Sequence, residues 1–221
     1  MTFGWDARIG WGARRDIAFH ECGHAVARVL SIGRVGITDA NAIRWIQMDG
    51  GNPHVSVMVL PHMPGLKEAG ERLGIMEGKP WSLEQRLTIF SLRKVDPLEW
   101  ANVRFFEIAA GAAAEAKFMQ VPFDFVWRGN QCGHDRELIS ATCEEIGLNE
   151  PEASRLFGVR SKEACAAMEK ADVWRAVLTL AERLPATGRM PGDIVVSTVQ
   201  NALRACEEDA FRVIPADNGC L

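Results

Sequence analysis

Asp16-Ile17-Ala18-Phe19-His20-Glu21-Cys22-Gly23-His24-Ala25-Val26-Ala27-Arg28-Val29-Leu30 reads as one helix, with Ile17, Ala18, Ala25, Val26 and Val29 marking an apolar, buried side. Within it His20 and His24 stand four apart, and residues four apart on a helix share a face, one turn from each other. Both imidazoles therefore point the same way, as two neutral nitrogens must to bind one Zn²⁺ at about 2.0–2.1 Å. Glu21 lies between them, close to such a metal without binding it. From there a carboxylate can take a proton from water and pass it to a leaving amine. The His-Glu-x-x-His pattern leads to the expectation of zinc hydrolase chemistry.

A surface pair or a satisfied core pair of histidines is the competing reading. Against it, the chain has only five histidines, and two imidazoles and a carboxylate on a buried helix are costly without a partner. Gly23 leaves no side chain beside His24, which suits the close approach of another segment. Cys22 is turned about 200° from His20 at 3.6 residues per turn, so it is expected to pack in the core rather than bind metal.

At 221 residues and 24.4 kDa, the chain can bury a full core as one domain with an extension. A net charge of −4 gives no broad basic field for nucleic acid or an anionic membrane. No segment reads as membrane-spanning, and residues 1–15, rich in Gly, Trp and Arg, lack the apolar centre of an export signal. The six cysteines, Cys22, Cys132, Cys143, Cys165, Cys206 and Cys220, include no Cys-x-x-Cys pair. Reduced thiols in a cytoplasm are the expectation.

The organisation expected is a single domain over 1–221, with an extension at 1–13, a metal-site core at 14–150 and C-terminal helices at 151–212. The first helix runs over 14–31, stopped by Gly33 and Gly36. Residues 43–48 and 54–60 read as strands around a turn at 49–53, which gives a hairpin or small sheet. Residues 61–80 are Gly- and Pro-rich and read as a mobile loop. Ser82-Leu83-Glu84-Gln85 opens a helix to Leu92 with a capping pattern. A second strong helix covers 97–120, dense in alanine, and 121–132 reads as an irregular aromatic loop. Further helices are expected at 135–146, 162–184 and 193–208, with a loose tail after 214.

A catalytic zinc takes three protein ligands and keeps one position open. Ala25-Val26-Ala27 follows His24, so the Gly-x-x-His extension of longer zinc motifs is absent and the third ligand must come from downstream. Asp135 and His134 are the candidates, with Glu115, Glu107 and Glu137 behind them. Read alone, Asp135 is equally a helix N-cap or a ligand, and Glu115 is an exposed helix carboxylate.

His20-Glu21-Cys22-Gly23-His24-Ala25, then a short β segment, then Gly111-Ala112-Ala113-Ala114-Glu115, then Gly133-His134-Asp135 opening a helix, resembles the zinc peptidase domain of FtsH-type proteases. Leu180-Ala181 with Leu184, followed by residues 188–194, is similar to that family's late helices, so the likeness spans most of 14–205. The resemblance implies a mainly α fold: a helical, zincin-like metallopeptidase with a small β-hairpin or sheet after the active-site helix. It implies Zn²⁺ bound by His20, His24 and Asp135, Glu21 as general base, and Glu115 orienting a ligand imidazole. An Ala-Thr pair follows the ligand Asp within about a turn in the family, and Ala141-Thr142 would put Glu137 at that register. The loop-to-helix junction favours Asp135.

Members of that family carry a membrane anchor and an ATPase module. No Gly-x-x-x-x-Gly-Lys-Ser/Thr phosphate loop occurs in this sequence, so ATP-driven unfolding is not expected of it alone. The function expected is a zinc-dependent metalloendopeptidase acting on a peptide or protein substrate, either unaided on peptides and flexible segments, as a homo-oligomer, or with a partner that delivers substrate. The alternative is an inactive, peptidase-like zinc module that binds a protein partner. A third reading is a regulator that cleaves one protein, with Phe123-Asp124-Phe125-Val126-Trp127 as a docking surface or as core.

Overall fold

The computed structural model describes residues 9–48, 54–56 and 82–212. The expected turn at 49–53, the far end of the second strand at 57–60, the loop at 61–80 and the tail after 214 lie outside the described residues. What is described is mainly helical, with one small sheet. No helix among the described residues is long and apolar enough to cross a membrane.

Helix α1 (Ile9–Leu30) begins ahead of the expected residue 14 and ends as expected, with Gly33 and Gly36 beyond it at φ 89° and 79°. These left-handed conformations suit glycine. Strands β1 (Trp45–Gln47) and β2 (His54–Ser56) pair antiparallel, Ile46 opposite Val55. Helix α2 (Leu83–Leu92) has the capping box expected from Ser82 and Gln85, each side chain bonded to the other's backbone N–H. Helix α3 (Pro97–Met119) starts where Asp96 accepts from the Glu99 backbone and Pro97 takes the first turn, a position with no N–H to satisfy.

The segment expected as an irregular loop is ordered into a short helix α4 (Phe123–Trp127) and a 3₁₀ turn (Asn130–Cys132). Phe123 stacks on Trp127 at 5.9 Å, Trp127 meets Phe157 at 4.5 Å, and Val126 is buried, while Phe125 is 67% exposed. Helix α5 (Gly133–Ile146) follows directly. The single helix expected over 162–184 is two. Helix α6 (Glu150–Glu169) is capped by Asn149, and helix α7 (Ala171–Thr187) starts after Lys170, which is extended at ψ 133°. A third strand, β3 (Arg189–Pro191), was not anticipated; it pairs with the free side of β1, Met190 opposite Ile46, giving the order β2-β1-β3. Helix α8 (Gly192–Arg212) closes the described chain.

One core cluster runs from Ala18 on α1 to Ala202 on α8, so the C-terminal helices share the core of the metal-site segment. Cys22 is fully buried in it, in the packing role expected. At its centre α1 and α3 cross. Phe19 stacks on Phe118 at 4.0 Å, and a Cβ on Gly23 would strike the Ala110 carbonyl oxygen and come within 2.7 Å of the Ala114 Cβ. Neither backbone nor a packed alanine can yield cheaply.

Two glycine-to-alanine changes should therefore have opposite signs. Gly158 on α6 has nothing within 4 Å of its Cβ position, so Gly158→Ala gains helix propensity of up to about 1 kcal/mol and raises Tm. Gly23→Ala overpacks the crossing, costs about 1–3 kcal/mol and lowers Tm by roughly 2–12 °C in thermal unfolding followed by circular dichroism. A Gly23→Ala protein as stable as its parent would contradict the crossing.

Candidate metal centre

Three elements converge on a cleft of about 640 Å³, lined by Ile17, His20, Glu21, His24 and Arg28 of α1, by Arg104, Glu107, Ile108 and Glu115 of α3, and by His134, Asp135 and Leu138 of α5, with Val55 and Gln131. That volume is ordinary for a ligand site, about 300–1,000 Å³. On α3 the lining residues fall at 104, 107, 108 and 115, about one and two turns apart, which keeps them on one helix face. Gly111 lies on the same face. A Cβ there would overlap the His24 ring and lie 2.9 Å from His20 Nε2, so glycine is what lets the two imidazoles lie against α3.

The rings of His20 and His24 are 4.7 Å apart, edge to face. Nδ1 of His20 is 2.9 Å from Glu115 Oε2, and Nε2 is 2.9 Å from Asp135 Oδ2. Nδ1 of His24 is 2.9 Å from the Glu107 backbone carbonyl, and Nε2 is 3.4 Å from Asp135 Oδ1. A carbonyl can only accept, so Nδ1 of His24 carries the hydrogen and Nε2 is left facing Asp135. Glu115 gives His20 the same orientation and also accepts from Gln131 Nε2. The outer nitrogens of both rings and a carboxylate oxygen of Asp135 thus lie within 4.8 Å of one another.

An uncharged imidazole nitrogen facing a carboxylate sets lone pair against lone pair. Without a cation the cluster resolves this by protonation. Burial disfavours charge on His20, but the hydrogen bonds to Asp135 and Glu115 outweigh it and raise His20 to about 10. Burial likewise opposes charge on His24, and the Asp135 carboxylate raises it on balance. Burial acts the other way on Asp135, yet the two rings hold its carboxyl well below the usual range. A divalent cation meets the same demand with one ion in place of two protons. Two nitrogens and one carboxylate oxygen are a donor set that suits Zn²⁺ and leaves a position free. Cys132 is beside this group; burial, with Asp135 and Glu115 nearby, pushes its thiol up to about 12, and its sulfur is not among the converging donors His20, His24 and Asp135.

The other candidates from the sequence are accounted for individually. Glu115, expected alone as an exposed carboxylate, is 1% exposed. Asp135 is not a helix N-cap: Cys132 holds that position with no side-chain cap bond, and the Asp135 carboxylate turns to the histidines. Glu137 is exposed and 3.5 Å from His134, so it is separated from His20 and His24, while His134 lines the cleft. The Glu107 side chain turns to Arg28 at 3.1 Å and Arg104 at 3.1 Å, and only its backbone reaches His24. Glu21 is 8% exposed and lines the cleft.

Sequence reading passed over Gln131, Arg28, Arg104 and the steric role of Gly111. Arg28 was visible in principle, four residues beyond His24 on the same helix face. Gln131 sits in a turn with no periodicity to mark it.

Metal content by elemental analysis checks the ligand set. Asp135→Ala should lose stoichiometric Zn²⁺, Glu137→Ala should keep it, and Glu115→Gln should bind about 10–100-fold more weakly. The ion must displace protons from His20 and His24, so affinity climbs with pH, about tenfold per unit for each proton released, and levels off beyond the His20 value of about 10. An affinity independent of pH between about 6 and 9 would contradict this arrangement.

No family model matches this chain, and no match is found among the curated proteins or the solved structures.

Proposed function

We propose that this chain is a zinc-dependent peptidase, built as a helical, zincin-like catalytic domain of the FtsH type and hydrolysing amide bonds without ATP of its own. One observation carries the reading: His20, His24 and Asp135 converge on one point while Glu21 lines the same cleft. A site needed only for stability has no use for Glu21 there.

Zinc, when bound, would polarise a scissile carbonyl and make a water acidic near neutral pH. Glu21 takes the proton of the attacking water and carries it to the amide nitrogen. The C–O bond forms, the C–N bond breaks, and the elements of water are divided between the two products. Glu115 and the Glu107 carbonyl hold the rings by their inner nitrogens, so the outer ones stay aimed at one point. Val55 on β2 lines the cleft, and β2 is an edge of the sheet among the described residues. An extended peptide or flexible protein segment could add to that edge and run past the ligands. A cytoplasmic setting goes with the same reading, supported by the free thiols of Cys22, Cys132, Cys143 and Cys165.

The test is Glu21→Gln. It keeps size and hydrogen bonding but cannot take the proton, so zinc content is retained and peptide cleavage by the metal-loaded protein falls by at least about 10²-fold. Full turnover in pure, zinc-loaded Glu21→Gln would sink the general-base role. No cleavage by the zinc-loaded parent across unrelated peptides would leave the non-catalytic, partner-binding module.

A further inference from the structure

The cleft has a second chemical feature that hydrolysis does not use. Arg104 and Arg28 line it together with the metal donors. Arg28 is buried and held on two sides: its Nε donates to the Ala42 carbonyl at 3.0 Å and its Nη1 to both Glu107 oxygens at 3.1 and 3.3 Å. Arg104 makes the second claim on the same carboxylate, Nη1 to Oε2 at 3.1 Å, with its side chain 20% exposed. Among the described residues that is its one hydrogen-bonded partner, out of five N–H donors in a planar fork. Glu145 also feels Arg104, but it shares Arg86 and Arg93. Within the cleft itself, Arg28 and Arg104 thus share the single carboxylate of Glu107.

We propose that Arg104 is a specificity determinant that receives a substrate carboxylate. The inference rests on the peptidase reading and names what the peptide must carry. A half-buried guanidinium with unspent parallel donors is the group that pairs bidentately with a carboxylate. Its place on α3 sets the spacing. Arg104 precedes Gly111, which lies under the two imidazoles, by seven residues, or about 10 Å of helix axis. Extended peptide covers that distance in about three residues at roughly 3.3 Å each. The carboxylate is thus about three residues from the scissile bond. Arg28 keeps Glu107 from neutralising Arg104 alone, so the positive charge persists in the free protein.

The carboxylate has two sources, an acidic side chain or the C-terminus of the peptide. Fluorescently labelled alanine-based peptides separate them: one Glu walked along the chain, its Gln counterpart, and each with a free or an amidated C-terminus. Binding is read by anisotropy on the full-length, zinc-loaded Glu21→Gln protein, so the result does not depend on turnover. The expected result is a preference of roughly 10–100-fold for the carboxylate peptide at one position. Arg104→Gln abolishes that preference at unchanged zinc content, and Arg104→Glu shifts it to a Lys peptide. A preference that survives amidation assigns the side chain; one lost on amidation assigns the C-terminus. Equal binding of all four peptide types, Glu or Gln with a free or an amidated C-terminus, no binding of any of them, or a preference that Arg104→Gln leaves intact overturns the proposal. Cleavage of the same peptides by the parent is scored separately, so a peptide bound with the predicted preference but never cut removes the peptidase reading alone.

Discussion

The close antiparallel crossing of α1 and α3 is the constraint on which the site depends. Each helix contributes a glycine: Gly23 admits Ala110 and Ala114, and Gly111 admits the two imidazoles. Because the helices pass in opposite senses, the earlier histidine meets the later glutamate, His20 with Glu115, and the later histidine meets Glu107. Glu107, Gly111 and Glu115 are spaced four apart, so one face of α3 supplies a gap with an acceptor one turn to either side. The alanines between them serve the same geometry. They favour helix strongly and hold the axes near enough for hydrogen bonds between the two helices.

The crossing also buries a group of charges that no apolar core would tolerate unpaired. Asp135 is 6% exposed and Glu115 1%, and both face the same His20 ring. Two carboxylates and two imidazoles there need positive charge, either as protons or as a cation. Protons satisfy the ledger only while the rings are charged, and the rings are then unavailable as ligands. Arg28, Arg104 and Glu107 form a separate cluster one turn further along α3, two guanidiniums on one carboxylate. Their surplus is positive, and it lies where the substrate carboxylate proposed for Arg104 would be received.

Much of this was legible in the sequence because it is written in helical spacing. His20, Glu21 and His24 depend only on the register of α1, and the Ser82–Gln85 capping box only on four consecutive residues. The misreadings fall where tertiary contacts decide. The turn at Lys170 is marked by no glycine or proline, and α4 is too short to be stable by propensity, drawing on Trp127 and Phe157 instead. Strand β3 exists because β1 offers it a partner. The choice between Asp135 and Glu137 was open for a definite reason. Two residues on a helix are about 200° apart, so only one could face α1, and which one depends on where the preceding turn delivers the chain.

That turn is fixed by bonds independent of the metal donors. Arg136 Nη1 donates to the Gly129 carbonyl at 3.0 Å and to the Trp127 carbonyl, and Gln131 reaches across to Glu115. Together they tie the start of α5 to its own loop and to α3 on either side of Asp135. The aspartate is therefore set in place by the loop rather than drawn in by an ion, and Glu115 is shared between that loop and His20. A donor set held this way before binding loses little entropy when the ion arrives. It also restricts where the donors can go: as the proposed zinc ligands, His20, His24 and Asp135 would supply three protein donors and leave a position open to the cleft they line. Such an open position is what separates a metal used for chemistry from one used only for folding.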